Sequence, residues 1–331
     1  MGSATQYSQL YKESIKDPEK FWESMAKENL IWDAPFSAVK FGSLLEGDVA
    51  WFLNGKLNAC VNCVDRHIPS RGDKTAIIWE SDEPGETKKI TYKELLREVC
   101  RVANALKAMG VRKGDAVTIY MPMVPEIAYT MLACARIGAP HSVVFAGFSS
   151  TALASRINNC QTKWVVTTDQ GKRGGRTLKL KEIVDVAVEQ CPVVKHVFVF
   201  KRTGAQVPFK KGRDVWMDEL VKSQRPYCPA EPMDSEDTLF LLYTSGSTGA
   251  PKGVQHTTAG YLLWTSTTHR YVFDLRENDV YACVADCGWI TGHSYIVYGP
   301  LCNGATTVIF ESTPLYPDCG RYWDMVERLK V

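Results

Sequence analysis

The sequence has no hydrophobic run long enough to cross a membrane. A bilayer-spanning helix needs about 18 or more apolar residues, and the most apolar stretch, residues 127–148, contains Arg136 and His141. The first residues are polar and form neither a secretory signal nor an Arg-rich amphipathic presequence. We therefore expect no membrane partner. We also expect a location in the cytoplasm, or in the mitochondrial matrix if a transit peptide has been removed.

A strong charge of one sign is also absent. The chain has 39 Lys and Arg residues against 37 Asp and Glu residues, so its net charge is +2. Proteins that bind nucleic acid through a broad basic face carry a clear basic excess. We therefore expect no nucleic-acid partner, and the sequence has no pattern that indicates the number of subunits.

Cysteines in a disulfide or metal-binding pattern are lacking. The 11 cysteines are odd in number and scattered, which is typical of a reducing compartment. Cys60 and Cys63 form a C-x-x-C motif, which is found in redox pairs and zinc sites. No second pair with zinc-finger spacing accompanies it. We predict buried free thiols, which behave as small apolar side chains, and no metal site.

Two regions of different character follow one another along the 331 residues. Residues 1–70 contain tryptophans among Asp, Pro and Gly, with one predicted helix at 18–28, and indicate an arm that lies across a domain surface. From residue 75 onward, apolar strands alternate with helices, which predicts an α/β fold with a largely parallel, doubly wound sheet flanked by helices. The predicted strands are residues 116–120, 141–145, 164–168, 196–200, 239–243, 280–285 and 306–310. The predicted helices include residues 125–137, 150–158, 178–189, 258–269 and 321–330, and a capping box at Thr91 and Glu94 begins another.

The most informative segment is residues 244–253, TSGSTGAPKG, directly after an apolar strand. Glycines let backbone N–H groups approach an anion, hydroxyls add donors, and Lys252 adds a compact positive charge. A flexible linker is one alternative, although linkers rarely follow a buried strand. A Walker loop is another, but Pro251 and Gly253 stand where that motif needs Gly and Ser or Thr. We predict a phosphate-binding loop.

Residues 243–253 resemble the phosphate-loop signature of the adenylate-forming superfamily. Further segments are similar to AMP-forming acetyl-CoA synthetases, which are short-chain acyl-CoA synthetases, and together they run over nearly the whole chain. They are AIIWE at 76–80, IYMPM at 119–123, MLACARIG at 131–138, FAGFS at 145–149, GWITGHSY at 288–295, and FW at 21–22 with NCVDR at 62–66 in the arm.

Members of this family are about twice as long as this chain. The resemblance therefore implies that residues 71–331 are the first part of the AMP-binding (adenylation) domain, which is incomplete here, and that the mobile C-terminal domain is absent. It implies an acetate–CoA ligase that converts acetate, ATP and CoA to acetyl-CoA, AMP and pyrophosphate through acetyl-AMP. The Mg²⁺ ligands are expected in the missing half. A propionyl-CoA synthetase and a non-catalytic nucleotide- or CoA-binding fragment remain as alternatives.

The resemblance assigns the phosphate loop to the β- and γ-phosphates of ATP and to the leaving pyrophosphate. Only Thr244 and Lys252, which stabilise phosphate charge, are implied to contribute to catalysis in this half. The implied phosphate-binding residues are Thr244, Ser245, Gly246, Ser247, Thr248, Gly249 and Lys252.

A second basic segment, Arg173-Gly174-Gly175-Arg176, can converge two guanidinium groups on one phosphate. Taken alone, it is more typical of a solvated basic turn. The resemblance implies contact with the 3′-phosphate end of CoA, beside a wall formed by Phe145, Ala146 and Gly147 and with Thr291 near the pantetheine. It also implies an acyl pocket lined by Trp289, Ile290 and Thr291, whereas we interpret Asp286 and His293 as structural.

Overall fold

The structure is a computed structural model that describes residues 4–244 and 251–331. The helices are α1 (Ala4–Lys16), α2 (Pro18–Asn29), α3 (Ala59–Cys63), α4 (Ile68–Arg71), α5 (Tyr92–Ala108), α6 (Pro125–Ile137), α7 (Ser150–Cys160), α8 (Leu180–Val188), α9 (Met217–Lys222), α10 (Thr258–Val272), α11 (Ile290–Gly292), α12 (Gly299–Cys302) and α13 (Arg321–Leu329). A single 3₁₀ turn at Asp65–His67 and a π-helical segment at His293–Tyr298 complete the helical elements of the described residues.

The strands of the described residues form two larger sheets and three two-stranded ribbons. They are β1 (Ala38–Ser43), β2 (Asp48–Leu53), β3 (Lys56–Leu57), β4 (Thr75–Glu80), β5 (Thr87–Thr91), β6 (Val117–Tyr120), β7 (His141–Val143), β8 (Trp164–Thr168), β9 (Gly171–Arg173), β10 (Arg176–Leu178), β11 (His196–Phe200), β12 (Asp214–Trp216), β13 (Met233–Asp234), β14 (Thr238–Thr244), β15 (Lys252–Thr257), β16 (Val280–Ala282) and β17 (Thr306–Phe310).

The larger sheet has seven strands in the order β12-β11-β8-β6-β7-β14-β15. All neighbours are parallel except β15, which runs antiparallel to β14. Side chains alternate between two hydrophobic clusters: Phe198 and Phe200 pack on one face of β11, and Val197 and Val199 on the other. Because both faces are covered, the predicted α/β fold with a parallel-dominated sheet flanked by helices is confirmed.

The predicted strands near residues 280 and 306 belong to a separate sheet instead of the large one. This second sheet has the order β16-β17-β4-β5, with β16, β17 and β4 parallel and β5 antiparallel to β4. The alternation of strands and helices could not reveal this division, because it records which segments are strands and not which strands pair. The expectation of a single sheet was therefore wrong.

Local signals account for the helix that crosses the centre of the core. α6 begins with Pro125 at its first position, where the missing N–H costs no hydrogen bond. It ends at Gly138, whose φ of +71° suits the left-handed C-cap that glycine adopts readily. Helix α5 starts with the predicted capping box, in which Thr91 Oγ1 accepts from Glu94 N and Glu94 Oε2 accepts from Thr91 N. These predictions are confirmed.

The N-terminal arm contributes buried residues to the main core. Phe52, Leu57 and Cys60 share one hydrophobic cluster with helices α5 and α6. The buried Asn58 amide donates to the carbonyl oxygens of Ala135 and Arg136 in the last turn of α6. The arm is therefore packed into the fold. The division at residue 70 stays a prediction, and α1 was not predicted.

The predicted free thiols are found, but not all of them are buried: Cys160 and Cys283 are partly exposed and Cys319 is exposed. All 11 cysteines are unpaired, and Cys60 and Cys63 are completely buried. Burial raises the pKa of Cys60 to about 12, so this thiol stays protonated. No helix within residues 4–244 and 251–331 is both long and apolar enough to cross a bilayer.

Buried histidines make the stability of this fold sensitive to pH. Burial lowers the pKa of His67, His269 and His293 to about 4 each, below the value near 6.5 of an exposed imidazole. Between these values the unfolded chain binds protons that the folded chain does not. The contribution of these histidines to the free energy of unfolding is therefore complete above pH 6.5. It is lost as the pH falls towards 4, at up to about 1.4 kcal/mol per pH unit for each histidine.

We predict that His269→Gln reduces the loss of unfolding free energy between pH 7 and pH 5, measured by urea denaturation. The matched control is His196→Gln, since His196 lies at the start of β11 and is partly exposed. The comparison with wild type is needed because buried carboxyl groups such as Glu126 have a raised pKa and act in the opposite direction. Equal pH dependence in wild type and His269→Gln would contradict the assignment.

Candidate active site

The two ends of the predicted phosphate loop face each other on neighbouring strands. Thr244 is the last residue of β14 and Lys252 the first of β15, and the two are paired in the antiparallel register. The residues between them that were assigned to phosphate lie outside the described residues: Ser245, Gly246, Ser247, Thr248 and Gly249. The described geometry is thus that of a hairpin whose connection leaves the carboxyl end of a parallel strand. Open α/β sheets bind ligands at that edge.

The strand that carries Thr244 is held firmly at its end. Tyr243 Oη donates to Asn159 Oδ1 over 2.7 Å, and the Arg156 guanidinium lies 5.6 Å from the centre of the Tyr243 ring. On the opposite strand, Gly253 lies so close to this ring that a Cβ would stand 3.1 Å from Tyr243 Cε1. The positions of Thr244 and Lys252, at the two ends of the loop, are therefore fixed by the contacts that the neighbouring Tyr243 and Gly253 make.

The basic segment forms a second hairpin, made of β9 and β10 with Gly174 and Gly175 at its tip. Both glycines have positive φ, +61° and +74°, the combination that a two-residue type I′ turn requires. The register places Arg173 directly opposite Arg176. Residues paired in this way have their side chains on the same face, so the geometry is compatible with two guanidinium groups that bind one phosphate.

Arg173 is turned towards the second sheet. Its Nη1 lies 3.3 Å from Asp286 Oδ2, and its guanidinium lies 5.4 Å from the centre of the Phe145 ring. Burial raises the pKa of Asp286, while the Gly288 N–H and Arg173 partly offset that effect. Asp286 therefore orients Arg173 and the loop that follows, in agreement with its structural interpretation.

An aromatic cluster connects the predicted CoA wall to the predicted acyl pocket. The rings of Phe145, Phe148 and Trp289 lie within 5.6–6.0 Å of one another. Gly288 makes this contact feasible, because a Cβ there would stand 2.6 Å from Phe145 Cα. Tyr120 Oη donates to the carbonyl oxygens of Ala146 and Phe148 and fixes the loop after β7.

Two cavities meet at Thr291. The first has about 650 Å³ and is lined by Ile290 and Thr291 together with Gln255 and His256 of β15. The second has about 330 Å³ and is lined by Phe145, Arg173, Trp289 and Thr291, among others. We call the β14–β15 hairpin the phosphate hairpin, after its predicted role, and the β9–β10 hairpin the basic hairpin. Thr291 therefore forms part of the wall between a space beside the phosphate hairpin and a space beside the basic hairpin.

The structure thus brings some of the predicted residues together and leaves others apart. Arg173, Phe145, Trp289 and Thr291 share the second cavity, and Ile290 joins Thr291 in the first. Trp289 is 50% exposed and Ile290 41% exposed, so the described residues form an open wall. Arg176, Ala146 and Gly147 do not line either cavity. The roles of all these residues towards ligands stay predictions.

The remaining predicted structural residue, His293, lies in the core. Its ring stacks on Phe240 and His141, and its Nδ1 lies 3.2 Å from the Trp289 carbonyl oxygen. Since burial lowers its pKa to about 4, it is neutral near pH 7. A neutral, enclosed imidazole agrees with a packing role.

Sequence reasoning missed several residues at this site. Trp22 and Trp51 of the arm line the first cavity, and the Trp22 ring lies 5.8 Å from that of Trp264. The buried carboxylate of Asp82 accepts hydrogen bonds from Gly174 N at 2.6 Å and Gly175 N at 2.9 Å. These partners are about 90 positions apart in the chain, and no local pattern marks such a pairing. Among the described residues, no cluster of three or more His, Cys, Asp or Glu side chains could hold a metal ion.

Comparisons with known proteins identify the family to which the chain belongs. Residues 64–331 match the family described as AMP-binding enzyme, and residues 7–63 match the acetyl-coenzyme A synthetase N-terminus. The chain belongs to the AMP-binding enzyme family. The predicted resemblance is therefore confirmed over almost the whole chain.

Several curated members of this family are similar to the chain over its full length. It is 57% identical to acetyl-coenzyme A synthetase of Phycomyces blakesleeanus and 55% identical to that of Dictyostelium discoideum, in both cases over 100% of this chain. It is 56% identical to that of Halorhodospira halophila over 98% of this chain. These matches cover 50%, 49% and 50% of the relatives. The chain thus spans about half the length of the curated relatives.

The tip of the basic hairpin has no room for a side chain, which leads to a stability prediction. A Cβ on Gly175 would stand 2.5 Å from Tyr316 Cε2. The matched control is Gly204, which has the same φ of +74° and also donates its N–H to a buried carboxylate, that of Asp169, but has open space around it. Left-handed backbone alone costs a non-glycine residue about 1–2 kcal/mol.

We therefore expect Gly175→Ala to lower the free energy of unfolding by at least about 1 kcal/mol more than Gly204→Ala, because the Tyr316 ring must also move. Urea denaturation of the two variants measures this difference. Equal losses would show that the tip is not enclosed as the structure describes.

Proposed function

We propose that this chain is the amino-terminal part of an acetate–CoA ligase. The full-length enzyme would convert ATP, acetate and CoA to AMP, pyrophosphate and acetyl-CoA through acetyl-AMP. We further propose that it acts in the cytoplasm, or in the mitochondrial matrix if a transit peptide has been removed. The observation that carries the proposal is 53–57% identity, over at least 98% of this chain, to proteins named acetyl-coenzyme A synthetase.

The first half-reaction would use the phosphate hairpin. An acetate oxygen attacks the α-phosphorus of ATP, a new P–O bond forms, and the bond to the β-phosphate breaks with release of pyrophosphate. Acetate is already ionised near pH 7, so this attack needs no general base. Negative charge accumulates on the leaving phosphates, and positioned donors and cations lower the barrier by offsetting it. Thr244 and Lys252, paired across the two strands, are suited to this task.

Mg²⁺ supplies further positive charge in reactions of this class. The described residues contain no suitable cluster of ligands, so no step of the mechanism is derived through the ion. We expect its ligands in the part of the relatives that this chain does not span.

The second half-reaction would use the wall between the two cavities. The CoA sulfur attacks the acetyl carbonyl carbon, a C–S bond forms, and the C–O bond to AMP breaks, so that AMP leaves with the electron pair and the thiol proton is released. Arg173 and Phe145 would hold the distal end of CoA in the second cavity. The position of Thr291 in both cavities supports a route by which the thiol reaches the acetyl group.

We assign Ile290 and Thr291 to the acyl pocket because they line one side of the first cavity. One methylene group in such a pocket changes binding by only about 1–3 kcal/mol, so propionate is the acid that competes most closely with acetate. A second candidate function is a non-catalytic CoA-binding module. The observation that favours it is that the second cavity is lined by residues of this chain, although the chain spans half of its relatives.

The proposal is tested by measuring AMP release from ATP by the full-length protein that contains this sequence. We expect release that depends on both acetate and CoA, with a higher kcat/KM for acetate than for propionate. No AMP with any acid of two to four carbons would contradict the ligase activity. If calorimetry then showed CoA binding without turnover, the binding module would be the better description.

The phosphate hairpin leads to a separate prediction. Lys252→Ala in the full-length protein should lower kcat/KM for ATP about 10-fold or more, because the variant loses a positive charge at the leaving phosphates, while KM for CoA changes little. Steady-state kinetics with each substrate varied in turn measures the effect. Lys211→Ala, at an exposed lysine far along the chain from the hairpin, is the control. An unchanged kcat/KM for ATP would exclude Lys252 from the phosphate site.

A further inference from the structure

Asp82 is a buried carboxylate that holds the tip of the basic hairpin. It follows the end of β4, in the second sheet, and is completely buried. Its two oxygens accept the N–H groups of Gly174 and Gly175, one each, at 2.6 and 2.9 Å. Hydrogen bonds to an ionised acceptor are roughly twice as strong as neutral ones. Asp82 therefore joins a hairpin that extends from the first sheet to an edge of the second.

The position of Asp82 is itself fixed from behind. Its own N–H lies 3.3 Å from Glu311 Oε2, and Glu311 is held by Arg202 through two hydrogen bonds of 2.8 Å. Glu311 N also donates to the Glu80 carbonyl oxygen, which continues the pairing of β17 with β4. The carboxylate is thus part of a rigid network and has little freedom to follow a moving turn.

The opposite side of the turn is enclosed as well. A Cβ on Gly174 would stand 3.1 Å from Thr313 Oγ1, and one on Gly175 would stand 2.5 Å from the Tyr316 ring. Since Asp82 takes both glycine N–H groups, they are not available to a phosphate. The guanidinium groups of Arg173 and Arg176 are then the charged donors that this turn can offer to an anion.

Arg173 and Arg176 face each other across the hairpin, and like charges placed directly opposite destabilise a strand pair. Asp286 partly offsets the charge of Arg173. A bound phosphate would offset both charges, provided that the turn keeps the two side chains at the required separation. The backbone hydrogen bonds of Asp82 impose that geometry on the residues between them.

We propose that Asp82 is the positioning residue of the CoA site, and that it holds the turn so that Arg173 and Arg176 bind the 3′-phosphate together. This inference rests on the proposed function. The charge of Asp82 acts in the opposite direction to its positioning role. This negative charge repels a phosphate, so removing the charge would by itself strengthen CoA binding. The two glycine N–H groups are aimed at this charge and reduce its effect, so the positional role dominates.

The test compares wild type and Asp82→Asn in the full-length protein, with CoA and with dephospho-CoA, which lacks the 3′-phosphate. Asparagine has the same size but presents an NH₂ group to one of the two N–H donors. We expect KM for CoA to rise about 10-fold, KM for dephospho-CoA to change less than about 3-fold, and acetate-dependent ATP–pyrophosphate exchange, which needs no CoA, to stay at the wild-type rate. A general loss of structure would instead raise both KM values and lower the exchange rate.

Two further variants complete the design. Glu83→Gln removes an exposed carboxylate one position away and is expected to leave every parameter unchanged. Asp82→Ser keeps one acceptor in a smaller side chain. It is expected to show the same selective rise in KM for CoA if Asp82→Asn folds poorly. An unchanged or lower ratio of KM for CoA to KM for dephospho-CoA in both Asp82 variants would overturn the inference.

Arg173→Ala separates this inference from the proposed function. If Arg173→Ala raises KM for CoA and the Asp82 variants do not, the CoA site stands and the positioning role is wrong. If Arg173→Ala leaves KM for CoA unchanged, the basic hairpin is not the CoA site. The CoA part of the proposed function and the positioning role of Asp82 are then both wrong. A rise in KM for CoA in all three variants supports the complete account.

Discussion

The hydrogen bonds between Asp82 and the glycines of the basic hairpin connect two sheets at their carboxyl edges. Asp82 and Glu311 follow the carboxyl ends of β4 and β17, whereas the hairpin follows the carboxyl end of β8. Phe145 and Asp286 likewise follow the ends of β7 and β16, and Thr244 is the last residue of β14. The candidate site therefore arises where the carboxyl edges of two parallel-dominated sheets meet. A buried carboxylate whose two oxygens both accept hydrogen bonds can hold such a junction. If the carboxylate were lost, the N–H groups of Gly174 and Gly175 would be buried without a hydrogen-bond partner, which is energetically costly.

The parts of the candidate site come from different sheets, which meet at this junction. The phosphate hairpin belongs to the first sheet, the loop with Trp289, Ile290 and Thr291 follows the second, and the basic hairpin lies between them. Close backbone approach at Gly288 lets the loop pack on Phe145. The two cavities that share Thr291 are a consequence of this packing. In the proposed enzyme, the activated acyl group and the CoA thiol would approach the same threonine from different sides.

Much of the fold could be predicted from local signals. The bounds of α6 were predicted to the residue, because Pro125 and Gly138 are strong local start and stop signals. The strands at Trp164–Thr168 and His196–Phe200 were also predicted correctly, since they are short apolar runs between helices. β15 was missed because its first four residues are exposed and show no alternation. The second sheet was missed because strand pairing is set by contacts distant in sequence, which a local pattern does not record.

The same distinction applies to the candidate site. Its contiguous motifs could be read directly, and the pairing of Thr244 with Lys252 brings the ends of one of them together. Asp82 could not be found in this way, because its oxygens meet the hairpin 92 and 93 positions further along the chain. The tryptophans of the arm were recognised as unusual, but their place in the wall of the first cavity depends on how α2 and β2 pack on α10.

The most direct measurement is a crystal structure of the full-length protein with CoA bound. We predict that the 3′-phosphate lies within about 3.2 Å of guanidinium nitrogens of both Arg173 and Arg176. The glycine N–H groups should still donate to Asp82, and the thiol end should lie beside Thr291. A nucleotide end of CoA bound away from the basic hairpin, with both arginines facing solvent, would contradict the account.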